Sequence, residues 1–228
     1  MNRQRPTLEQ VALRAGVSRA TVSRVVNGST TVAPEIREQV AMAVRELGYV
    51  PNQAARSLVT QRSNSFALVL PEPSTRVFSE DQFFPALIRG VSQELEIVSI
   101  QLVLMMASSA ASHARISQYV MAGHVDGVML ASMHGDDPLP KELASTGVPV
   151  VTNGRSLGSS SVPYVDVDSP GGSARAVRHL IGLGRQRIAT IAGPQDMVAG
   201  IDRLSGYRTE IEAIGRQPVI ATGDFTRE

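Results

Sequence analysis

Apolar residues at Leu8, Val11, Ala12 and Ala15 recur at i, i+3, i+4 and i+7, which predicts a helix over 8–15 with one buried face. Gly16 follows, a residue suited to end that helix in the left-handed conformation, and Ser18 stands where it can cap a second helix over 19–27. On the second helix Val22, Val25 and Val26 cluster on one side, while Ala20, Ser23, Arg24 and Asn27 occupy the other. Gly28 closes it. A third helix begins at Pro34, with Glu35 complementing the dipole and Ile36, Val40, Ala43, Val44 and Leu47 forming a stripe that Gly48 terminates. Ala33 cannot cap this helix through its side chain, a loss of roughly 1 kcal/mol that Pro34 offsets in part. Tyr49-Val50-Pro51 is expected to be extended, since a residue before proline avoids the helical region. Asn52 can then cap one short helix over 53–58, and "TQRSNS" reads as a linker.

From Phe66 onwards the period changes. "FALVL", "IQLVLMM", "VDGVMLA", "VPVVT" and "RIATIAG" are short apolar runs bounded by Gly, Pro or Ser, the pattern of buried parallel strands. Helical segments intervene at 85–97, 111–122, 171–183 and 202–214. Alternating strands and helices imply a doubly wound parallel sheet with ligands at the carboxyl ends of its strands. The expected fold is therefore an all-α helix-turn-helix head joined to an α/β doubly wound core. Boundaries are expected at 1–48 for the head, 49–62 for a hinge and linker, 63–165 for a first core subdomain and 166–228 for a second. One turn is out of pattern: "ELEIVSIQLVL" has no glycine between helix and strand.

Charge sharpens this division. Residues 1–62 hold nine Arg and four Glu, a balance of +5, whereas the whole chain of 228 residues carries only +1. A basic end on a mildly acidic body suits binding to a polyanion. Cysteine is absent, which excludes disulfides and thiolate metal sites. His113, His124, His134 and His179 have no metal-ligand spacing, so neither metal nor cofactor is expected. The N-terminus has no apolar stretch of signal-peptide kind and no run is long enough to span a bilayer, so a cytoplasmic protein is expected.

A helix, a tight glycine turn and a second helix with a short polar outer face form the helix-turn-helix pattern. A recognition helix lies in the major groove with its N-terminal residues towards base edges, so it needs small side chains for close approach and arginines for guanine. Arg19 and Ala20 occupy the leading end, with Ser23 and Arg24 one turn behind. Ser18, Thr21 and Asn27 can donate to phosphates. A three-helix bundle with a solvated polar face is the competing reading of the spacing alone.

The string "TLEQVALRAGVSRATVSRVVNG" resembles the N-terminal motif of the lac repressor (LacI/GalR) family of bacterial transcription regulators, matching at Thr7, Leu8, Val11, Ala12, Ala15 to Ser18, Thr21 to Arg24 and Asn27. The resemblance continues through "LGYVPNQAARSL", "FFPALIRG", "VDGVML", "GVPVV", "VDVDSPGG", "RHLIGLGRQRIATIAGP", "DRLSGYR" and "GDFT". It implies a DNA-binding head on a two-subdomain core like that of periplasmic sugar-binding proteins, acting as a homodimer whose operator affinity changes when a sugar-like effector binds between the subdomains. By position, Arg19 and Ala20 become variable base readers, Arg24 a common one and Thr7 a further DNA contact. Tyr49, Asn52, Ala55, Arg56 and Leu58 become the hinge contacts, with Leu58 as an apolar wedge in the minor groove.

The same resemblance places the effector cleft beside Arg155, Asp168 and Arg203. Arg203 matches the family's effector-binding arginine, whose fork can grip a hydroxyl pair or a carboxylate. Arg155 has a surface salt bridge as its rival role. Residues 71–84 can supply an apolar wall, with Phe78 or Phe84 stacking on a sugar. Asp126 reads as a turn residue, as do Asp136 and Asp137 ahead of Pro138. The family's core continues well past "GDFTRE", so the second subdomain is expected to be incomplete. A transcriptional repressor with a small-molecule sensor is the leading expectation. A regulator that binds DNA without sensing an effector is the alternative. An enzyme is not expected: "GLGRQR" fails the dinucleotide pattern at Arg187, and no GxSxG elbow occurs.

Overall fold

The structure, a computed structural model, describes residues 6–50, 62–79, 82–158 and 161–226. The chain divides into two compact units, Met1–Gln61 and Arg62–Glu228.

In the first unit, α1 spans Leu8–Ala15, α2 spans Arg19–Val26 and α3 spans Pro34–Leu47. The caps explain the boundaries. Thr7 accepts a hydrogen bond from the Gln10 N–H while the Gln10 side chain returns to the Thr7 N–H, a reciprocal capping box. Gly16 takes φ 66°, which lets its N–H and the next close on the carbonyls of α1 and turns the chain sharply into α2. Ser18 caps α2 through the Thr21 N–H at 3.1 Å. As expected, Ala33 makes no side-chain cap, and Pro34 opens α3. Val11, Val22 and Val40, one from each helix, are fully buried together with Ala12, Ala43 and Tyr49. Each buried valine contributes roughly 1.5–3 kcal/mol, and that small knot is what fixes α2 against its neighbours.

The second unit opens with β1 (Ser65–Leu70), α4 (Ser74–Val77), α5 (Phe83–Ile97), β2 (Gln101–Met106) and α6 (Ala110–Met121). β3 (Gly127–Ala131), α7 (Leu139–Ser145), β4 (Val150–Asn153) and β5 (Tyr164–Val165) follow. These strands form one parallel sheet in the order β2-β1-β3-β4-β5. Beyond it come α8 (Ser169–Gly182), β6 (Ala189–Ala192), α9 (Val198–Ala213) and β7 (Val219–Thr222), with β6 and β7 paired in a second parallel sheet. β1 is an interior strand, paired on both sides, and its side chains pack alternately into two clusters (Ala67 and Val69, Leu68 and Leu70), which is why its last four residues are all buried.

Several details differ from the expectation. The helix–strand turn without glycine is made by Ser99, which adopts φ 56° as its N–H and that of Ile100 close on α5 carbonyls. α8 begins at Ser169, two residues earlier than the periodicity placed it, because Asp168 caps it and Pro170 fits the first turn. α9 begins at Val198, a full turn before Asp202. β5, β7, α4 and α7 were not foreseen; they are two to seven residues long and too short for a period to emerge. Asp126 is more than a turn residue: its carboxylate accepts from the Ser63 and Asn64 N–H groups at 2.7 and 2.9 Å and holds the entry to β1. No helix among the described residues is long and apolar enough to cross a membrane.

Candidate functional site

On the head, α2 presents Arg19, Ala20, Arg24 and Asn27 as exposed residues, opposite its buried Val22. Ser18 and Thr21 share a hydroxyl contact of 2.9 Å, and Asn27 donates to the Ser23 hydroxyl at 3.4 Å. Arg24 has no ion-pair partner among the described residues, whereas Arg19 meets Glu9 on α1 at 2.8 Å. Small residues between two exposed arginines, Arg19 at the start of α2 and Arg24 in its last turn, make a surface that can approach base edges. Two expected DNA contacts are placed differently. Thr7 spends its hydroxyl on the α1 cap, and the Tyr49 ring, 8% exposed, is part of the head's core. Asn52, Ala55, Arg56 and Leu58 lie outside the described residues.

The second unit carries a cleft of about 370 Å³ at the carboxyl ends of its strands. Every wall comes from a segment that leaves a strand: Arg76 after β1, Ser132 and Met133 after β3, Gly154 and Arg155 after β4, Asp166 and Val167 after β5, Met197 after β6 and Phe225 after β7. Parallel strands deliver their loops to one edge, so the chemistry is assembled from residues far apart in sequence. Phe83, Phe84, Met133, Met197 and Phe225 supply apolar surface. Phe83 and Phe84 meet edge to face at 5.2 Å. Phe78, the alternative stacking residue, is exposed and is not part of the lining.

The charges in the cleft are largely matched. Arg155 donates to Asp166 at 3.0 Å and to Asp202, so its fork is occupied. The hydrogen bond it donates to Asp166, then the proximity of Asp202, hold the guanidinium above its ordinary pKa, and it stays charged at every working pH. Glu72, only 4% exposed, accepts from the Ser132 hydroxyl at 2.6 Å and contacts His134 Nε2 at 3.1 Å. Arg76 Nε stands 3.5 Å from the same carboxylate without hydrogen-bond alignment, and its Nη2 donates to the Asp224 carbonyl at 2.8 Å. Ser132 holds φ 60° to make its contact, backbone strain stored at the cleft edge. Arg203 differs from the other two arginines. Its guanidinium lies 5.1 Å over the Phe225 ring and has no ion pair among the described residues, which leaves its donors for a ligand.

Of the four expected effector residues, Phe84, Arg155 and Arg203 line the cleft. Asp168 does not: its Oδ1 accepts from the Gly171 N–H at 2.8 Å as the cap of α8. An Asp ahead of Ser-Pro is an N-cap signal, and this cap is the contact its side chain makes here. Glu72, Arg76, Asp166, Asp202 and Phe225 were not singled out in the sequence. Asp166 and Phe225 follow strands too short to read, and Glu72 carries no motif of its own.

The model of "Bacterial regulatory proteins, lacI family" matches residues 7–52, and that of "Periplasmic binding proteins and sugar binding domain of LacI family" matches residues 63–228. The chain is 50% identical to the HTH-type transcriptional regulator CelR of Thermobifida fusca over 98% of its length and 67% of CelR. It is 36% identical to the HTH-type transcriptional regulator MalR of Streptococcus pneumoniae over 90% of this chain and 62% of MalR. Among solved structures, the CelR–cellobiose complex is 47% identical with a TM-score of 0.67, covering 97% of this chain and 67% of that one. The lac repressor dimer bound to operator and the anti-inducer ONPF is 26% identical with a TM-score of 0.81, covering 98% and 67%. The chain thus spans about two thirds of the length of these relatives.

Proposed function

Because the chain belongs to the LacI family of bacterial regulatory proteins, we propose that it is a sequence-specific DNA-binding repressor of transcription whose operator affinity is set by a neutral sugar in the cleft. It works by binding, as a cytoplasmic homodimer, and not by catalysis. The observation that carries the ligand class is the charge pairing: Asp166, Asp202 and Glu72 match Arg155 and Arg76, leaving Arg203 and the aromatic rings to face the ligand. One free guanidinium fork over an aromatic wall suits a hydroxyl-rich ring and lacks the convergent cations that a phosphorylated sugar needs. The likeness to CelR, solved with cellobiose, makes a β-linked glucose disaccharide the first ligand to test.

The domain limits proposed are a head at 1–48, a hinge at 49–62, a first core subdomain at 63–165 and a second at 166–228. One observation favours a second reading, a regulator that binds DNA without responding to a sugar. On the β6–β7 sheet Ile191 is 80% and Val219 is 56% exposed, an apolar face with no cover among the described residues. Selection of bound duplexes from a random pool, followed by cellobiose titration of the complex by fluorescence anisotropy, separates the two. Saturable release of a pseudo-palindromic operator supports the sensor. Operator binding that no sugar alters supports the second reading, and absence of any sequence preference overturns both.

A further inference from the structure

Glu9 Oε1 lies 2.8 Å from Arg19 Nε, joining the first turn of α1 to the first residue of α2. The two side chains are 62% and 67% exposed, so this ion pair adds little to the stability of the head. Its placement at the leading end of α2 gives it another use. We infer that Glu9 is a specificity-determining residue, which takes the Nε edge of Arg19 and aims the two terminal amino groups at O6 and N7 of a guanine in the major groove. The inference rests on the reading of α2 as the recognition helix.

The atoms involved support it. A guanidinium has five donors arranged along two edges, and a carboxylate on Nε leaves the Nη edge whole for a second bidentate partner. Guanine offers two acceptors at matching spacing. A free arginine must lose rotamer freedom when it docks, whereas one already held by a carboxylate has lost part of it beforehand. Arg24, one turn further along α2, has no comparable support among the described residues. Glu9 is ionised when it does this: a hydrogen bond from its own backbone N–H, the Thr7 hydroxyl and the nearby Arg19 hold its carboxyl below the ordinary value.

The carboxylate also has a cost. Close to DNA it repels phosphates on every sequence, which weakens non-specific binding while the guanine contact is rewarded on one. A residue that only stabilised the fold would not produce that opposed pair of effects. Glu9→Gln should therefore lower discrimination and raise non-specific affinity together.

The test uses the full chain as wild type, Glu9→Gln and Arg19→Ala, each checked by thermal melting and each put through selection from a random duplex pool. Wild type is expected to prefer guanine at one symmetric pair of positions. Glu9→Gln should cut that preference roughly tenfold and tighten binding to random duplex by about twofold to fivefold. Arg19→Ala should abolish the same preference. If Glu9→Gln keeps the wild-type preference while Arg19→Ala loses it, Arg19 reads the base unaided and the role of Glu9 is overturned, with the recognition helix intact. If Arg19→Ala keeps the preference as well, the reading of this end of α2 fails, and the inference falls with it. A uniform loss on all duplexes with a lowered melting temperature would reduce Glu9 to a structural residue.

Discussion

His134 Nδ1 lies 3.0 Å from Asp196 Oδ2, a contact that ties the segment after β3 to the loop after β6. The opposite ring nitrogen lies 3.1 Å from Glu72, so one imidazole spans from a buried carboxylate of the five-stranded sheet to the second sheet's loop. The Gly135 N–H donates to the Asp196 carbonyl at 2.7 Å beside it. Together these contacts link the two sheets' loops next to the cleft-lining Ser132, Met133 and Met197.

His134→Ala should therefore cost on the order of 1–3 kcal/mol, because Glu72 stays buried with one hydrogen-bond partner fewer. Urea unfolding followed by circular dichroism measures it. An unchanged midpoint would mean that water replaces the ring without loss.

Tyr207 has a comparable role inside the second sheet's layer. Its ring is 1% exposed, its hydroxyl donates to the Ile188 carbonyl at 2.9 Å, and the same oxygen accepts from the Val219 N–H at 2.9 Å. Tyr207→Phe keeps the packing but strands a strand-start N–H and a carbonyl, so about 1–3 kcal/mol should be lost. Thermal melting of the variant against wild type tests this, and a loss below the error of the method would place a compensating water there.

The contact between α8 and α9 depends on a missing side chain. A Cβ on Gly206 would collide with the Pro170 carbonyl, which is backbone and cannot swing away. Gly206→Ala should force the helices apart and destabilise the second unit by about 1–3 kcal/mol or more, while the head's own transition stays put. Two-probe melting, with one signal from DNA binding and one from the cleft, distinguishes the units. Coincident shifts in both would contradict their separate folding.

Arg24 is the cleanest test of the head. It is exposed on α2, without an ion-pair partner among the described residues, and its neighbours are small. Arg24→Ala should cost on the order of 1–3 kcal/mol on the selected operator and relax preference at one symmetric position. A loss shared equally by all sequences would reassign it to the phosphate backbone.

How much of this was visible in the sequence follows from the range of the forces involved. The head was legible almost residue by residue, since Thr7, Ser18, Gly16 and Gly48 act through hydrogen bonds to positions at most a few residues away. The central strands were legible too, because burial on both faces leaves continuous apolar runs such as those of β1 and β3. Tyr164 and Val165 form a strand of two exposed residues, held by Thr152 and Asn153, and no pattern can be that short. The cleft behaved in the same way. Arg203 was identified through its likeness to a known motif, but Glu72 acquires its meaning from Ser132 and His134, some sixty residues distant. Asp168 shows the converse case, a residue whose visible contact is the local cap of α8 and not a long-range one.

The last prediction joins Arg203 to a glycine outside the cleft lining. Phe225 adopts φ 67°, a conformation a bulky residue avoids, and its ring lies where a Cβ on Gly193 would sit. Above that ring, at 5.1 Å, stands the Arg203 guanidinium. The bare Gly193 backbone therefore makes room for the ring, and the ring positions the arginine. Gly193→Ala should push Phe225 out of place and release Arg203, weakening the proposed binding of a sugar, with cellobiose as the probe, by roughly fivefold to tenfold, the worth of an arginine–aromatic contact. Arg203→Ala should weaken it more, because the donors themselves are gone. Isothermal titration of both variants against wild type decides the matter, with thermal melting as the control for folding. If Gly193→Ala binds as wild type does while Arg203→Ala fails, the ring is a bystander and Arg203 orients itself. If both bind as wild type does, the ligand sits elsewhere in the cleft.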